Sequence, residues 1–178
     1  MGNRLAKKRV LVSQAGDFMG PITTEFFRSE GAEMITSTRD LTSAQECQDL
    51  VDSAGDIDVL VANLAGPTNT GIQVTELSNE QWGSGFRYMV DPLHWLTQAV
   101  LPQMIERKKG KIVVYGSAAG LKGMKTVAAY SAARAAQIGY VRAVGVEVAP
   151  HNIQINLIAQ NYVENPDYYP PELMQKES

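Results

Sequence analysis

Three residues in the stretch 117–134 carry side chains suited to acid–base chemistry on a small molecule. Tyr130 and Arg134 are four residues apart, a spacing that puts them on one face of a helix, one turn from each other. A fixed cation beside a tyrosine favours the phenolate form, so Tyr130 is a candidate base. Ser117 is placed to hydrogen-bond the same substrate oxygen.

The flanking sequence predicts the elements that position these three side chains. Residues 111–116 (KIVVYG) form a short apolar run typical of a buried parallel strand, and Ser117 follows at its carboxyl end. Residues 126–149 are rich in alanine and long enough for a helix that carries Tyr130 and Arg134.

The rest of the chain alternates strand-like and helix-like segments. This alternation predicts an α/β fold of the Rossmann-like type: a doubly wound parallel sheet, helices on both faces in three layers, and a ligand crevice at the strands' carboxyl ends. We expect a single domain over residues 1–178, with the longest helices at residues 84–107 and 126–149. The predicted strands are centred on residues 10–12, 34–35, 59–62, 112–114 and 153–158.

Composition argues against several classes of function. A net charge of −3 and two histidines among 178 residues give no basic surface for nucleic acid. The single cysteine, Cys47, cannot form an internal disulfide and has no neighbouring cysteine or histidine, so we predict no metal site and a reducing, cytoplasmic environment. No apolar run reaches membrane-spanning length, so we expect no membrane partner.

The spacing of Ser117, Tyr130 and a cation resembles the active site of the short-chain dehydrogenase/reductase superfamily. The segments NLAG (residues 63–66) and TQAVLPQM (residues 97–104) resemble the same superfamily. Its cation is normally lysine, and an arginine, as at Arg134, is typical of the halohydrin dehalogenases, its cofactor-free branch.

The loop after the first predicted strand departs from a dinucleotide-binding loop. Such a loop needs glycines so that backbone amides can approach a pyrophosphate. In the superfamily pattern, Ser13 stands for the threonine, Gln14 for the first glycine and Phe18 for the second, and only Gly20 is kept. An aromatic residue at the place of Phe18 resembles the halohydrin dehalogenase pattern.

Two further positions depart from the dehydrogenase pattern, and a third is compatible with a nicotinamide cofactor. Met89 falls where a dehydrogenase carries its proton-relay asparagine, and methionine cannot relay a proton. Gln160 replaces the proline–glycine turn that closes on a nicotinamide. Arg39, followed by Asp40, could suit an NADP phosphate, so that position is ambiguous.

The resemblance to halohydrin dehalogenases implies a carbon–halide lyase. Such an enzyme converts vicinal haloalcohols to epoxides and halide, opens epoxides with small anions in reverse, needs no cofactor, and assembles as a homo-oligomer, a tetramer. Ser117, Tyr130 and Arg134 would be catalytic. The resemblance implies that halide and substrate are bound by Phe18, Pro67, Gln160, Asn161, Tyr162, Val163, Tyr168 and Tyr169.

Two alternatives stay open at the level of the sequence. One is an atypical NADP-dependent oxidoreductase, which five departures disfavour: Gln14, Phe18, Met89, Arg134 and Gln160. The other is a catalytically silent member of the superfamily. We also expect the chain to lack the C-terminal helix and seventh strand of the family, which would leave an open sheet edge.

Overall fold

The structure, a computed structural model, describes residues 3–163 and contains one parallel sheet. Its strands are β1 (Arg9–Val12), β2 (Glu33–Thr36), β3 (Val59–Ala62), β4 (Gly110–Tyr115) and β5 (Ile153–Ile158). They lie in the order β2-β1-β3-β4-β5, and every pair is parallel. All five predicted strands are confirmed, and the observed β1, β2 and β4 extend beyond their predicted apolar centres.

Helices connect the strands and cover both faces of the sheet. None of the helices in this part of the chain is long and apolar enough to cross a bilayer. The α-helices among the described residues are α1 (Gly20–Ser29), α2 (Ala44–Ala54), α3 (Asn79–Gly85), α4 (Asp91–Glu106) and α5 (Ala128–Val148), with 3-10 turns at Ala118–Gly120 and Ala149–His151.

The helix predicted over residues 84–107 differs from the one observed. A π-helical turn, Phe86–Val90, separates α3 from α4, and the Asp91 N–H donates to the Phe86 carbonyl five residues earlier. Pro92 lies in the first turn of α4 and has no N–H, so it cannot bond the carbonyl of Tyr88. The sequence pattern missed this interruption because the apolar periodicity continues across it.

Two apolar clusters, one on each face of the sheet, give the three predicted layers. Leu11, Leu60 and Ile112 are fully buried and cluster with residues of α2, α4 and α5. Val10 and Val61 point to the opposite face, where Phe27 of α1 packs against them. Strands buried on both faces are typical of parallel sheets, and the predicted α/β class is confirmed.

Cys47 lies in the first of these clusters and is fully buried. Burial raises the pKa of its thiol to about 12, so the thiolate is disfavoured. Cys47 is thus unpaired, as its being the single cysteine of the chain requires, and lies where the thiol form is favoured.

The direction in which successive strands are added across the sheet reverses after β2. From β1 the chain passes to β2 on one side, and it then crosses to β3 on the other side. In open α/β sheets a ligand crevice forms at such a switch point, beyond the carboxyl ends of the strands. The loops that follow β1 and β3 therefore meet at the predicted crevice.

The other end of the sheet is an edge among the described residues. There, β5 pairs only with β4, and a groove of about 1010 Å³ lies between β5 and α5. The expected single domain, and the expected lack of a further helix and strand, stay predictions.

A close backbone approach makes Gly20 a sensitive position. A Cβ atom on Gly20 would lie 2.6 Å from the carbonyl oxygen of Ala15. The nearest atoms are all backbone atoms of Ala15, so the clash could be relieved only by a shift of the backbone. Since overpacking costs about 1–3 kcal/mol or more, Gly20→Ala should lower the free energy of unfolding by at least about 2 kcal/mol in urea denaturation. Gly83→Ala is the control, because nothing lies within 4 Å of its added Cβ, and it should not destabilise the chain. Equal stability of the two variants would contradict this packing.

Candidate active site

The loop after β1 is held against the end of β3 by buried polar groups. The Ser13 hydroxyl donates to the Asn63 carbonyl and accepts the Asn63 N–H, both at 3.1 Å. The Asn63 side chain donates to the carbonyls of Gln14 (2.8 Å) and Asp17 (2.9 Å). These bonds fix the path of the chain across the switch point.

Two residues of this loop stand where the superfamily resemblance places glycines. Gln14 has φ +44° and Phe18 has φ +51°, so the left-handed backbone is kept although both residues carry side chains. The Gln14 side-chain oxygen accepts the Ala65 N–H at 2.7 Å, and Phe18 lines the cavity described below. Side chains therefore fill space that glycines leave open.

Ser117 lies two residues after β4, as its position after a buried strand predicted. It begins the 3-10 turn Ala118–Gly120, and its hydroxyl accepts the Ala119 N–H at 3.1 Å. A Cβ on Gly120 would lie 2.7 Å from the backbone nitrogen of Ala135, so the absence of a side chain lets this turn rest on α5. The Ser117 hydroxyl keeps its own proton to donate.

Arg134 is almost fully buried, with 2% exposure. Its Nη1 donates to the Tyr115 carbonyl and to the side-chain oxygen of Gln137, each at 2.9 Å, and its Nη2 donates to the Leu64 carbonyl at 3.3 Å. All three acceptors are neutral, and none of the ion pairs among residues 3–163 includes Arg134. The guanidinium thus joins α5 to the ends of β3 and β4 through neutral acceptors.

Tyr130 lies one helical turn before Arg134 and is half-buried. The guanidinium carbon of Arg134 is 5.1 Å from the centre of the Tyr130 ring, within cation–π range. The prediction that the phenol and the guanidinium share one face of the helix is correct. The side chains of Tyr130 and Arg134 are therefore in contact where both line the cavity described below.

The segment after β5 reaches the Ser117 turn through backbone hydrogen bonds. The Ala118 N–H donates to the Gln160 carbonyl at 2.8 Å, and the Gly116 N–H donates to the Ile158 carbonyl at 3.0 Å. The Gln160 N–H is itself donated to the Ile158 carbonyl. Of the segment predicted to bind halide, the Gln160 amide is therefore engaged by a backbone carbonyl of the chain itself.

These elements enclose a cavity of about 460 Å³ at the switch point. That volume lies within the ordinary range for small-molecule sites. Tyr168 and Tyr169, also predicted to bind substrate, lie outside the described residues. The predicted residues that line the cavity are Phe18, Pro67, Ser117, Tyr130, Arg134, Gln160, Asn161, Tyr162 and Val163. Their roles stay predictions.

The loop after β1 does not fit a dinucleotide pyrophosphate. The amides of Ala15 and Asp17 donate to backbone carbonyls, and Pro21 contributes no N–H to the first turn of α1. Asp17 also lines the same cavity, and a negative charge there is unfavourable for a phosphate. Arg134, at 2% exposure, has almost no surface left for a ribose.

The described part of the chain offers no cluster of three or more histidine, cysteine, aspartate or glutamate residues that could hold a metal ion. Its ionisable cavity-lining side chains other than Arg134 are those of Asp17, Asp40, Tyr88, Tyr130 and Tyr162.

Sequence reasoning missed several residues of the site. The amide side chains of Asn63 and Gln137 carry the hydrogen bonds that position the loop and Arg134, respectively. Gln137 could have been found from its spacing, because residues i and i+3 of a helix are neighbours and it follows Arg134 by three. No sequence signal marked Tyr88, Met124 or Val127 as lining residues.

Comparison with known proteins defines the family. The family model described as short chain dehydrogenase matches residues 5–169, which is most of the chain. The protein therefore belongs to the short chain dehydrogenase family. The superfamily resemblance inferred from Ser117, Tyr130 and the turn at residues 63–66 is confirmed.

Similar curated proteins carry reductase names. The chain is 38% identical over 119 residues to an acetoacetyl-CoA reductase of Acinetobacter sp. (strain RA3849), covering 67% of this chain and 47% of the relative. It is 28% identical to the 3-oxoacyl-[acyl-carrier-protein] reductase FabG of Thermotoga maritima, covering 92% of this chain and 77% of the relative. The chain spans 47% to 66% of the length of three of its curated relatives.

Among solved structures, the chain resembles both a dehalogenating protein and a dehydrogenase. A protein described as "Dehalogenation enzyme" superposes with a TM-score of 0.87 at 30% identity, over 98% of this chain and 80% of that one. An NAD+-bound xylitol dehydrogenase gives a TM-score of 0.85 at 26% identity, over 91% and 73% of the two chains. The comparisons thus confirm the family, and the curated names favour its reductases over the dehalogenase branch.

The two hydrogen bonds that the Asn63 side chain donates predict that its replacement lowers the free energy of unfolding. In Asn63→Asp, a carboxylate oxygen would replace the amide donor and face the carbonyls of Gln14 and Asp17. Because a buried group left unsatisfied costs about 1–3 kcal/mol, we expect a loss of at least about 2 kcal/mol in urea denaturation. The exposed Asn156 provides the control, and Asn156→Asp should change stability by less than about 0.5 kcal/mol. Similar losses in the two variants would show that the Asn63 amide does not hold the loop.

Proposed function

We propose that the protein converts vicinal haloalcohols to epoxides and halide without a nicotinamide cofactor. The single observation that carries this proposal is the buried, unpaired Arg134 stacked on Tyr130 in a cavity whose phosphate-loop side is filled by Gln14 and Phe18. The pair suits proton removal from an alcohol, and the loop does not suit a dinucleotide. The likeness to the protein described as "Dehalogenation enzyme" supports the same function.

In this mechanism Tyr130 acts as the base. Its phenolate, stabilised by Arg134, accepts the proton of the substrate hydroxyl while Ser117 donates a hydrogen bond to the same oxygen. The alkoxide oxygen then attacks the neighbouring carbon from the side opposite the halogen. A carbon–oxygen bond forms, the carbon–halogen bond breaks, and the halide leaves with the electron pair. The proton passes from Tyr130 to solvent, which restores the phenolate.

The departing halide needs partial positive charge at the opposite wall of the cavity. We assign that role to residues 161–163, because backbone amides in a turn can hold an anion and the edge of the Tyr162 ring is partly positive. Phe18 and Pro67 would form the walls next to the carbon skeleton. In reverse, the same wall would hold a small anion, such as azide, cyanide or nitrite, for attack on an epoxide.

The second candidate is an NADP-linked oxidoreductase, which the curated relatives favour. It would keep Tyr130 as the acid–base residue and would use Arg134 in place of the usual lysine. The internal bonds of the loop and the Asp17 carboxylate argue against nucleotide binding at the usual place. A catalytically silent member of the family is a third possibility, disfavoured by the grouping of Ser117, Tyr130 and Arg134 around one cavity.

The assembly and location expected from the sequence remain proposals. A homotetramer would pair the long helices α4 and α5 with those of other copies. Val146 on α5 is 80% exposed, which leaves an apolar side chain for such a contact. We keep the cytoplasm as the proposed location.

The proposal predicts halide release in the absence of nucleotide. With a bromohydrin as substrate, the protein should release bromide and acidify the medium, and NADPH should not change the rate. Tyr130→Phe should lower that rate by at least about 100-fold, because a positioned general base contributes roughly 100- to 10,000-fold. Bromide would be measured with an ion-selective electrode.

The matched control is Tyr140→Phe, on the same helix, whose hydroxyl contacts His94 and does not line the cavity. It should release bromide at the rate of the unmodified protein. NADPH oxidation with acetoacetyl-CoA, combined with no bromide release, would instead establish the reductase.

A further inference from the structure

Gln137 is a fully buried polar residue whose side chain bonds at both ends. It follows Arg134 by three residues on α5 and has 0% exposure. Its side-chain oxygen accepts from Nη1 of Arg134 at 2.9 Å, and its Nε2 donates to the Met89 carbonyl at 2.6 Å. A buried amide with both ends bonded has one defined orientation.

The Met89 carbonyl belongs to the π-helical turn Phe86–Val90. A π-helical turn interrupts the regular ladder of bonds in a helix, and such turns are frequent at functional sites. Tyr88, from the same turn, lines the cavity. Gln137 therefore links two features of the site, the irregular turn before α4 and the guanidinium beside Tyr130.

The neutrality of Gln137 matters for the charge of the site. Glutamate has nearly the same shape, but its carboxylate would form an ion pair with Arg134 and offset the guanidinium charge. It would also lose the donor that bonds the Met89 carbonyl. With glutamine, the Arg134 guanidinium bonds only neutral acceptors, and its Nε has no partner among the described residues.

We propose that Gln137 is a positioning residue: it holds the Arg134 guanidinium against Tyr130 and leaves the guanidinium charge free to stabilise the phenolate. The proposal rests on the proposed role of Tyr130 as the base. Gln137 itself is not among the residues that line the cavity, so it would act through Arg134.

The other charged and titratable groups around Tyr130 come from four parts of the site. Asp17 and Asp40 follow β1 and β2, Tyr88 lies on the π-helical turn, and Tyr162 follows β5, all lining the same cavity. Tyr115 at the end of β4, whose carbonyl accepts from Arg134, is hydrogen-bonded through its hydroxyl to Thr23 at 2.7 Å. All of these groups are kept in Gln137→Glu and Gln137→Met, so a change in the titration of Tyr130 in either variant arises at position 137.

The main test is Gln137→Glu. The absorbance of tyrosinate would be followed during a pH titration, with the same titration of Tyr130→Phe subtracted to isolate Tyr130. We expect Tyr130 to titrate about one pH unit or more higher in Gln137→Glu, and the rising limb of kcat/KM for bromide release to move with it. At a pH on that limb, a shift of one unit lowers the rate about tenfold.

The chain offers a matched control in Gln103 of α4. Its side-chain oxygen accepts from Nη2 of Arg107 at 2.8 Å, and its Nε2 donates to the Gly55 carbonyl at 3.1 Å, away from the cavity. Gln103→Glu places the same change beside another arginine, and Tyr130 should then titrate as in the unmodified protein. An equal shift in both glutamate variants would overturn the proposal, because it would reflect net charge alone.

A second variant, Gln137→Met, separates position from charge. It removes both hydrogen bonds and adds no charge, so kcat should fall at least about tenfold while KM changes less than about threefold, as expected when only transition-state stabilisation is lost. Wild-type kcat in this variant would overturn the positioning role, even if Gln137→Glu does not fold. If Tyr130 titrates as expected in Gln137→Glu but the unmodified protein releases no halide, the positioning role stands and the proposed function fails.

Discussion

The structure depends on one buried charge, the guanidinium of Arg134. A cation taken out of water is strongly unfavourable unless its hydrogen bonds are satisfied, and here neutral carbonyls and one amide provide most of those bonds. Those acceptors are the ends of β3 and β4 and the side chain of Gln137, so the guanidinium holds α5 at the carboxyl edge of the sheet. Among residues 3–163 its hydrogen bonds go to neutral acceptors, and the guanidinium lies against the ring of Tyr130, the arrangement on which the proposed chemistry rests.

The crevice suits either hydride transfer or halide elimination. The names of the curated relatives favour the first, and the side chains of the loop after β1 favour the second. The curated relatives are reductases, which transfer hydride, whereas the loop after β1 has lost the features that a pyrophosphate needs. Gln14 and Phe18 keep the left-handed backbone of glycines but fill the space next to it, and Asp17 adds a negative charge. Proteins of one fold bind ligands at the same place but often bind different ligands. The proposed function therefore rests mainly on the side chains of this loop and less on the names of the relatives.

The strands and the shared helix face of Tyr130 and Arg134 could be predicted from the sequence, because both depend on local patterns. Buried parallel strands are short, continuous apolar runs, so β3 and β5 were predicted at their observed bounds. The four-residue spacing of Tyr130 and Arg134 fixed their common face. The π-helical turn at Phe86–Val90 was not predicted, because the apolar pattern continues across it without a break. The contacts of Asn63 and Gln137 were also missed, since they join segments far apart in sequence: residue 63 with residues 14 and 17, and residue 137 with residue 89.

Cofactor-free chemistry in this crevice is tested most directly by a calorimetric titration of the protein with NADPH and NADH. We expect no saturable binding of either nucleotide at millimolar concentration, because amides of the loop after β1 are hydrogen-bonded to backbone carbonyls and Arg134 is buried. A dissociation constant in the micromolar range for either nucleotide would contradict it and would make the protein a reductase of unusual sequence.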